Sequence, residues 1–346
     1  MTKSVTCLFL GSGASYALAG IPPQSEFLCS VLNNVKARWI DNCGVDRKIK
    51  IGNRRLSSWM LDVGDVELCM SYLHNRADYA DSSPSKSKRN ARRAIVNMRV
   101  AIADYLRSSR PKRDIRIKFL KWFKKLHDES GIIVIITTNY DLILEKLLLS
   151  SKYRYHYPGI SNKQEGVPIY KLHGSVNWLE KLWFERKELK HSQTRLPVVF
   201  PVRRLLPKPG KGNNRQWAYL FRWKQYMENE QTHNTYGPIL VPFFYQKEHW
   251  VGESGGWNCI FPGHWQNAER FLLEKSPNQF YFLGYSLPPA DHYMMAWLIK
   301  IIEKAKKTGV TIVCKNNQQE PLEKVLEPFS PNVYRCGLEN FLDGHV

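Results

Sequence analysis

The sequence has few long apolar runs and no closely spaced cysteines. No apolar run in the 346 residues approaches the ~18 residues that a membrane helix needs. The short run Val5–Leu10 is not followed by the small-residue cleavage site of a signal peptide. The seven cysteines include no C-x-x-C pair, which argues against a zinc ribbon and against a disulfide framework. We therefore expect a cytoplasmic protein without a membrane segment and without a bound metal.

Acidic residues are also scarce relative to basic ones. The chain has 51 Lys and Arg against 31 Asp and Glu, a net charge of +20. The excess is concentrated, because residues 86–125 hold 15 basic and 2 acidic residues and residues 181–224 hold 12 and 2. Clustered cations of this kind neutralise nucleic-acid phosphates. A solvated helix face that docks an acidic partner is the alternative, and both interpretations remain open.

Hydrophobic residues make up 43% of the chain, enough for a large core. Apolar runs predict strands at 5–10, 132–136, 168–172, 279–283 and 310–314. Helical patterns predict helices near 25–35, 66–73, 90–107, 114–127, 142–149, 265–275 and 290–307, whereas glycines 44, 52 and 64 predict an irregular segment over 41–65. Strands that alternate with helices indicate an α/β protein with a doubly wound, Rossmann-like parallel sheet. We expect a single domain over 1–346, with a basic helical insertion at about 75–128 and an irregular, aromatic-rich insertion at about 175–265.

Polar clusters directly follow four of the predicted strands. They are Gly11–Ser15, Thr137–Asp141, His173–Ser175 and Gly284–Asp291. Ligands of doubly wound sheets bind beyond the carboxyl ends of the strands, so the clusters predict one shared site. Glycines at 11 and 13 would let backbone amides approach a phosphate. Tyr16 replaces the third glycine of G-x-G-x-x-G, and a tight structural turn is an equally open explanation.

Together these motifs resemble those of the sirtuin superfamily, and its divergent bacterial sirtuin-like branch more than the protein deacylases. The motifs are GSGAS at 11–15, GIP at 20–22, TTNYD at 137–141, KLHGS at 171–175 and GYSLPPAD at 284–291. The resemblance implies a Rossmann-like core that binds NAD as a substrate. The NAD-binding residues that it implies are Gly11, Ser12, Gly13, Ala14, Ser15, Asp141, Gly284, Ser286 and Asn316, with Asn317 as an alternative to the last.

The same resemblance implies catalytic roles for Asn139 and His173. The histidine would contact the hydroxyls of the nicotinamide ribose. An amide such as that of Asn139 orients water or a hydroxyl without titrating, and histidine exchanges protons near neutral pH. The simpler alternatives are a helix N-cap for Asn139 and a hydrogen-bonded buried histidine for His173.

Two departures from the deacylase pattern bear on the reaction. Pro23, Gln24 and Ser25 stand where deacylases carry D-F-R, and Cys259 is the one cysteine between His173 and Gly284, where deacylases carry four for zinc. Both changes remove parts of an acyl-lysine site, which favours water as the acceptor and hydrolysis of NAD to nicotinamide and ADP-ribose. An NAD-dependent deacylase and a non-catalytic NAD- or ADP-ribose-binding module in a nucleic-acid-associated complex are the alternatives.

Related sirtuin-like proteins deplete NAD in bacterial antiphage defence and so halt the infected cell. An enzyme of that kind must be regulated. The resemblance therefore implies an abortive-infection effector that is activated by homo-oligomer assembly or by a partner, such as a HerA-type ATPase or a short Argonaute.

Other features favour structural roles. Asp62, Asp65 and Glu67 could hold Mg²⁺, but their place before an apolar helix suits capping better. His249 and His264 receive no role. Alternating aromatic residues over 217–223 predict a half-buried strand more than a base-stacking surface.

Overall fold

The computed structural model describes most of the chain, in several segments. These are residues 4–34, 49–78, 86–161, 164–185, 188–191, 198–199, 235–240, 260–288, 291–305, 308–315 and 320–346. Asn316, Asn317, Cys259, the aromatic pattern at 217–223 and most of the second basic segment lie outside these residues.

The elements form a regular α/β succession. Their bounds in chain order are β1 (Val5–Leu10), α1 (Ser12–Ala19), α2 (Gln24–Asn34), β2 (Lys50–Ile51), β3 (Arg54–Arg55), α3 (Leu56–Val63), α4 (Val66–Asp78), α5 (Lys86–Ser108), α6 (Arg113–Ser130), β4 (Ile132–Thr137), α7 (Ile143–Ser150), β5 (Tyr155–His156), β6 (Val167–Lys171), β7 (Gly174–Glu185), β8 (Glu188–His191), β9 (Val198–Val199), β10 (Thr235–Leu240), α8 (Ile260–Lys275), β11 (Gln279–Leu283), α9 (His292–Lys304), β12 (Gly309–Val313), α10 (Glu320–Leu326), β13 (Asn332–Tyr334) and α11 (Gly337–His345).

The core is a seven-stranded sheet in the order β13-β12-β11-β1-β4-β6-β5. Every neighbouring pair in it is parallel. Strand β1 is buried along its whole length, as expected for a strand covered on both faces. The sequence prediction of a doubly wound, Rossmann-like α/β fold is therefore confirmed. Strands β5 and β13 were not predicted, because two or three residues are too few to show a pattern.

The sheet order places the crevice of the fold beside β1. From β1 the chain continues to β4 and β6 on one side and then returns to β11 on the other. In sheets of this kind, the point where the strand order reverses is the place where ligands bind. The loops after β1 and β11 flank that point.

The chain segment that connects β1 to β4 consists mainly of helices. Helices α2, α3, α4 and α5 pack on one another, and α6 packs on β1, β4 and α11. The predicted break near Pro111 separates α5 from α6, because proline lacks the amide hydrogen that a continuous helix needs.

The prediction of an irregular segment over 41–65 is wrong for the part that the structure describes. Strands β2 and β3 form a hairpin there, and α3 follows. Gly52 occupies the hairpin turn with φ 59°, and Gly64 ends α3 with φ 69°. Both glycines therefore terminate regular elements through their left-handed conformations rather than interrupting them.

Part of the aromatic-rich segment forms a small antiparallel sheet. Its order is β10-β7-β8, and β9 pairs with β7. Strand β7 starts directly after His173, and its Trp178 is fully buried. This sheet therefore connects the insertion to the carboxyl edge of the parallel sheet.

Candidate functional site

A cleft of about 850 Å³ lies along the carboxyl edge of the parallel sheet. Ligand pockets commonly measure about 300–1,000 Å³. Its walls come from the segments that follow six strands: β1, β4, β6, β11, β12 and β13. Residues of α2, α4 and α5 add to them. The cleft is thus placed where the topology of the sheet predicts a ligand.

The glycines after β1 and β11 hold two loops together at the centre of this edge. Gly11 N–H donates to the Leu283 carbonyl at 3.0 Å, and Gly13 N–H donates to the Gly284 carbonyl at 2.9 Å. A Cβ on Gly11 would lie 2.5 Å from the Gly284 oxygen and from the Tyr285 Cα. The glycines are needed here for close packing of two backbones, a different reason from the approach of a phosphate that the sequence suggested. Gly284 adopts φ 59°, which also favours glycine.

Asn139 is fixed at the cleft by hydrogen bonds from its side chain. Its amide donates to the Gly11 carbonyl at 2.8 Å and to the Ser15 hydroxyl at 2.9 Å. Ser15 in turn donates to the Asp141 carboxylate at 2.6 Å. The N-cap alternative does not hold for Asn139, because Leu142 stands at the N-cap position of α7. The Asp141 carboxylate, one residue earlier, accepts from the Ile143 N–H at 2.9 Å. The chain Asn139–Ser15–Asp141 therefore joins the ends of β1 and β4.

His173 lies at the end of β6 with 3% of its surface exposed. Its Nε2 is 2.8 Å from the Tyr293 hydroxyl and 3.7 Å from the Asp291 carboxylate. The Tyr140 ring packs near the imidazole, with ring centroids 6.1 Å apart. Burial, with the Glu67 and Asp291 carboxylates nearby, raises the pKa of the Tyr140 phenol well above its ordinary value. Both tyrosines therefore face His173 as neutral phenols, since burial and Asp291 raise the pKa of Tyr293 as well.

A buried ion pair links the site to helix α7. Lys171 and Glu145 are each 1% exposed, and the Lys171 ammonium is 3.0 Å from the Glu145 carboxylate. The same ammonium donates to the Asp141 carbonyl. Tyr157 donates to Glu145 at 2.8 Å. Lys171 thus ties the backbone at Asp141 to α7.

His264 has a structural role. Its Nε2 accepts from the Lys171 N–H at 3.0 Å, and its Nδ1 lies 3.2 Å from the Pro158 carbonyl. Burial lowers the pKa of His264 to about 4. The neutral ring therefore serves one acceptor and one donor function in holding β6 in place.

The cleft also includes residues that the sequence did not assign to the site. Lys112, between α5 and α6, lines it, as do Lys315 after β12 and the first turn of α11. The Lys112 N–H donates to the Leu18 carbonyl at 2.7 Å, and its ammonium lies 5.8 Å from the centre of the Tyr16 ring. Because β13 and α11 are short and follow the last resembling motif, no sequence pattern indicated that they reach the cleft.

The structure brings most of the predicted site residues together. The predicted residues that line the cleft are Ser12, Gly13, Ser15, Asn139, Asp141, His173, Gly284 and Ser286. Gly11 and Ala14 are buried and pack behind it instead. Asn316 lies outside the described residues. The sequence assigned no role to Lys171, Asp291 and Tyr293, although Lys171 belongs to the KLHGS motif and Asp291 to the GYSLPPAD motif.

The three acidic residues around α4 are separated by the fold. Asp65 caps α4 by accepting from the N–H groups of Glu67 and Leu68, and Asp62 pairs with Arg54. The capping interpretation is therefore confirmed for Asp65. Glu67 is 4% exposed and lines the cleft. Within the segments that the structure describes, no group of three or more His, Cys, Asp or Glu side chains is arranged to hold a metal ion. In the same segments, no helix is both long enough and apolar enough to span a bilayer.

One comparison with known proteins gives a match that overlaps this site. Residues 133–206 match the family model of a SIR2-like domain. The match starts in β4 and includes Asn139, Asp141 and His173. No curated protein matches the chain at a significant level. The match over 133–206, with the seven-stranded parallel sheet around it, supports a sirtuin-like family and an activity that involves NAD.

Proposed function

We propose that the protein is an NAD glycohydrolase that cleaves NAD to nicotinamide and ADP-ribose. The observation that carries this proposal is the meeting of Asn139 and His173, each hydrogen-bonded, at one cleft beside the switch point of the sheet. Both residues lie within the SIR2-like match.

The reaction breaks the bond between the nicotinamide nitrogen and the ribose carbon and forms a bond from that carbon to a water oxygen. Nicotinamide leaves with the bonding electrons, and the water gives up a proton. Positive charge develops on the ribose in between, as in other glycoside cleavages. The enzyme must therefore hold the sugar, stabilise that charge and accept a proton.

Asn139 and His173 have the chemistry for these tasks. The Asn139 amide is oriented by Gly11 and Ser15, which leaves its carbonyl oxygen to align a water or a ribose hydroxyl. His173 is the proton acceptor beside the ribose. The carboxylates of Asp141 and Glu67 line the same cleft and favour a cationic transition state over a neutral ground state.

The NAD phosphates and adenosine occupy the rest of the cleft in this proposal. Because the N–H groups of Gly11 and Gly13 are bonded to carbonyls, they do not supply the charge that a pyrophosphate needs. Lys112 and Lys315 line the cleft and supply it. Ser12 and Ser286, which follow β1 and β11, line the same cleft.

The absence of D-F-R residues after GIP and the single cysteine between His173 and Gly284 support water as the acceptor. By resemblance, we extend the proposal to an NAD-depleting effector of bacterial antiphage defence. In that role, homo-oligomer assembly or a partner such as a HerA-type ATPase or a short Argonaute activates it.

The test compares Asn139→Ala and His173→Ala with the parent protein. Each substitution should lower nicotinamide release from NAD by about 10²-fold or more, since each removes a group that acts in the transition state. Chromatography of the products measures release, and calorimetry measures NAD binding, which should change little. Asn332→Ala and His127→Ala, both outside the cleft, are the matched controls.

Three outcomes would contradict the proposal. Alanine variants that release nicotinamide at the parent rate would remove the assignment of these residues. Formation of O-acyl-ADP-ribose only when an acylated peptide is present would identify a deacylase. Tight NAD binding without turnover, with every candidate activator present, would identify a binding module.

A further inference from the structure

Three neighbouring side chains beside the cleft form a chain, and the proposed reaction assigns a task only to the histidine among them. His173 follows β6, and Asp291 and Tyr293 stand at the start of α9. The Tyr293 hydroxyl lies 2.8 Å from His173 Nε2 and 3.5 Å from the Asp291 carboxylate. Asp291 is 2% exposed. Two elements distant in sequence thus meet at one imidazole nitrogen.

We propose that Asp291 and Tyr293 are positioning residues that keep the proton of neutral His173 on Nε2. The proposal rests on the proposed function, because it assigns a task to the histidine of that site. It makes Nδ1 the basic nitrogen of the neutral ring.

The proposal sets the direction of both hydrogen bonds. It places the Tyr293 hydroxyl hydrogen toward the Asp291 carboxylate, an acceptor 3.5 Å away. The Tyr293 oxygen then accepts from His173, which requires a hydrogen on Nε2. Burial and the neighbouring Asp291 raise the pKa of Tyr293 well above its ordinary value, so the phenol keeps the hydrogen that this arrangement needs.

The chain also has an electrostatic consequence. When His173 accepts a proton, the ring becomes a cation 3.7 Å from the Asp291 carboxylate in a buried site. A carboxylate in that place stabilises the imidazolium and holds the ring orientation, as in other buried carboxylate–histidine pairs. Glu67 from α4 and Tyr140 after β4 face the same cluster, and the buried Arg99 of α5 is a cation that acts on Tyr140.

Tyr293 is held in place by packing as well. Its ring lies 5.3 Å from Trp265 of α8. Tyr293→Phe keeps this packing and removes the hydroxyl, so it isolates the hydrogen bond. Asp291→Asn keeps the shape and removes the charge. Tyr281→Phe, on β11 outside the cleft, is the matched control.

The first readout separates turnover from binding. By analogy with the hydrogen-bond partners of metal-ligating histidines, Asp291→Asn should lower kcat by about 10–100-fold. Tyr293→Phe should lower it by about tenfold. The Kd for ADP-ribose should stay within about threefold for both. In the His173→Ala background neither change should lower kcat further, since both act through the imidazole. Losses that multiply, or a kcat within about threefold of the parent for both single variants, would overturn the proposal.

The second readout needs no turnover, so it separates failure of this inference from failure of the proposed function. Imidazole ¹⁵N signals at about pH 8.5, where histidine is ordinarily neutral, show which nitrogen carries the proton. The signal that disappears in His173→Ala belongs to this ring. It should report the Nε2–H form in the parent and shift toward the Nδ1–H form in Tyr293→Phe and Asp291→Asn. A parent ring in the Nδ1–H form would refute the inference whether or not NAD is hydrolysed.

Discussion

The Lys171 side chain is buried, with 1% of its surface exposed. Its ammonium is shared between the Glu145 carboxylate and the Asp141 carbonyl. A buried ion pair is not a strong source of stability in itself, because desolvation offsets much of the attraction. The pair instead positions the site. The ammonium holds the backbone of Asp141, whose carboxylate accepts from the Ser15 hydroxyl. Ser15 in turn orients Asn139, because its hydroxyl accepts from the Asn139 amide.

We predict that Lys171→Met destabilises the fold by about 3–5 kcal/mol, because it leaves the Glu145 carboxylate buried without its cation. Chemical unfolding measures the change. The double variant Lys171→Met with Glu145→Gln should regain a large part of the loss, since no uncompensated charge remains. A double variant as unstable as the sum of the two single variants would show that the pair does not interact as described.

The residues of the site differ in how far the sequence revealed them. Asn139 and His173 stand directly after strands that an apolar run identifies, so their position at the carboxyl edge was predictable. Lys171 belongs to the KLHGS motif but was assigned no role, because a lysine within a strand normally indicates a solvent-facing position. Its buried partner Glu145 lies in α7 and shows no spacing that links the two. Tertiary contacts of this kind leave no periodic trace in the sequence.

At the scale of elements, the loops after β1 and β11 act as one unit. Gly11 and Gly13 contact Gly284 closely, and each of the first two donates a hydrogen bond across the junction. The parallel pairing of β1 and β11 brings Leu10 opposite Leu283, which sets the two loops side by side. The two loops that line the middle of the cleft are therefore positioned by direct backbone contact.

We predict that Gly11→Ala destabilises the protein by about 1–3 kcal/mol, the usual cost of overpacking a close contact. The new Cβ would lie 2.5 Å from the Gly284 oxygen, so the β11 loop must move and NAD binding should weaken with it. Thermal unfolding and calorimetry measure the two effects.

Gly344→Ala is the matched control for this change. A Cβ at Gly344 meets nothing within 4 Å, and the residue belongs to helix α11. Alanine there should leave stability equal or raise it by roughly 0.5–1 kcal/mol, since alanine favours helices more than glycine does. Equal effects of the two substitutions would contradict the importance of the loop contact.

Some elements between β1 and β4 were predictable from the sequence and others were not. Strong apolar periodicity identified α5 and α6 and the proline between them. The segment with glycines at 52 and 64 was predicted to be irregular, because a glycine that ends an element and one that breaks it look alike in a sequence. The first turn of α11 lines the cleft although it carries no motif.

At the scale of the whole molecule, much of the net charge of +20 comes from residues 86–125, which hold 15 basic and 2 acidic residues and form α5 and part of α6. Helix α6 exposes Arg113, Lys121 and Lys124. On the same helix, Lys118 bonds to Asp343 and Lys125 to the His345 carbonyl, which ties α6 to α11. The exposed cations thus form a surface on a helix that also packs against β1 and β4 of the core. Arg99, by contrast, is 4% exposed and belongs to the interior.

We predict that this surface docks an acidic partner or a neighbouring subunit. Reversing Arg113, Lys121 and Lys124 to glutamate should change the oligomer size or abolish partner binding in sizing experiments with light scattering. Nicotinamide release by the unassembled chain and its melting temperature should stay near the parent values, because the three side chains are exposed and outside the cleft. The reversal lowers the net charge by six units, from +20 to +14.

A control with the same change in net charge separates this surface from a general field effect. Lys152, Arg270 and Lys275 are exposed elsewhere on the protein, and their reversal to glutamate also gives +14. If both triple variants weaken association equally, net charge rather than the α6 surface governs it. If neither differs from the parent, alone, with DNA or with candidate partners, the α6 cations are a solvated face. Loss confined to the α6 variant is the result expected here, because association through a docking surface depends on where the cations lie and not only on how many there are.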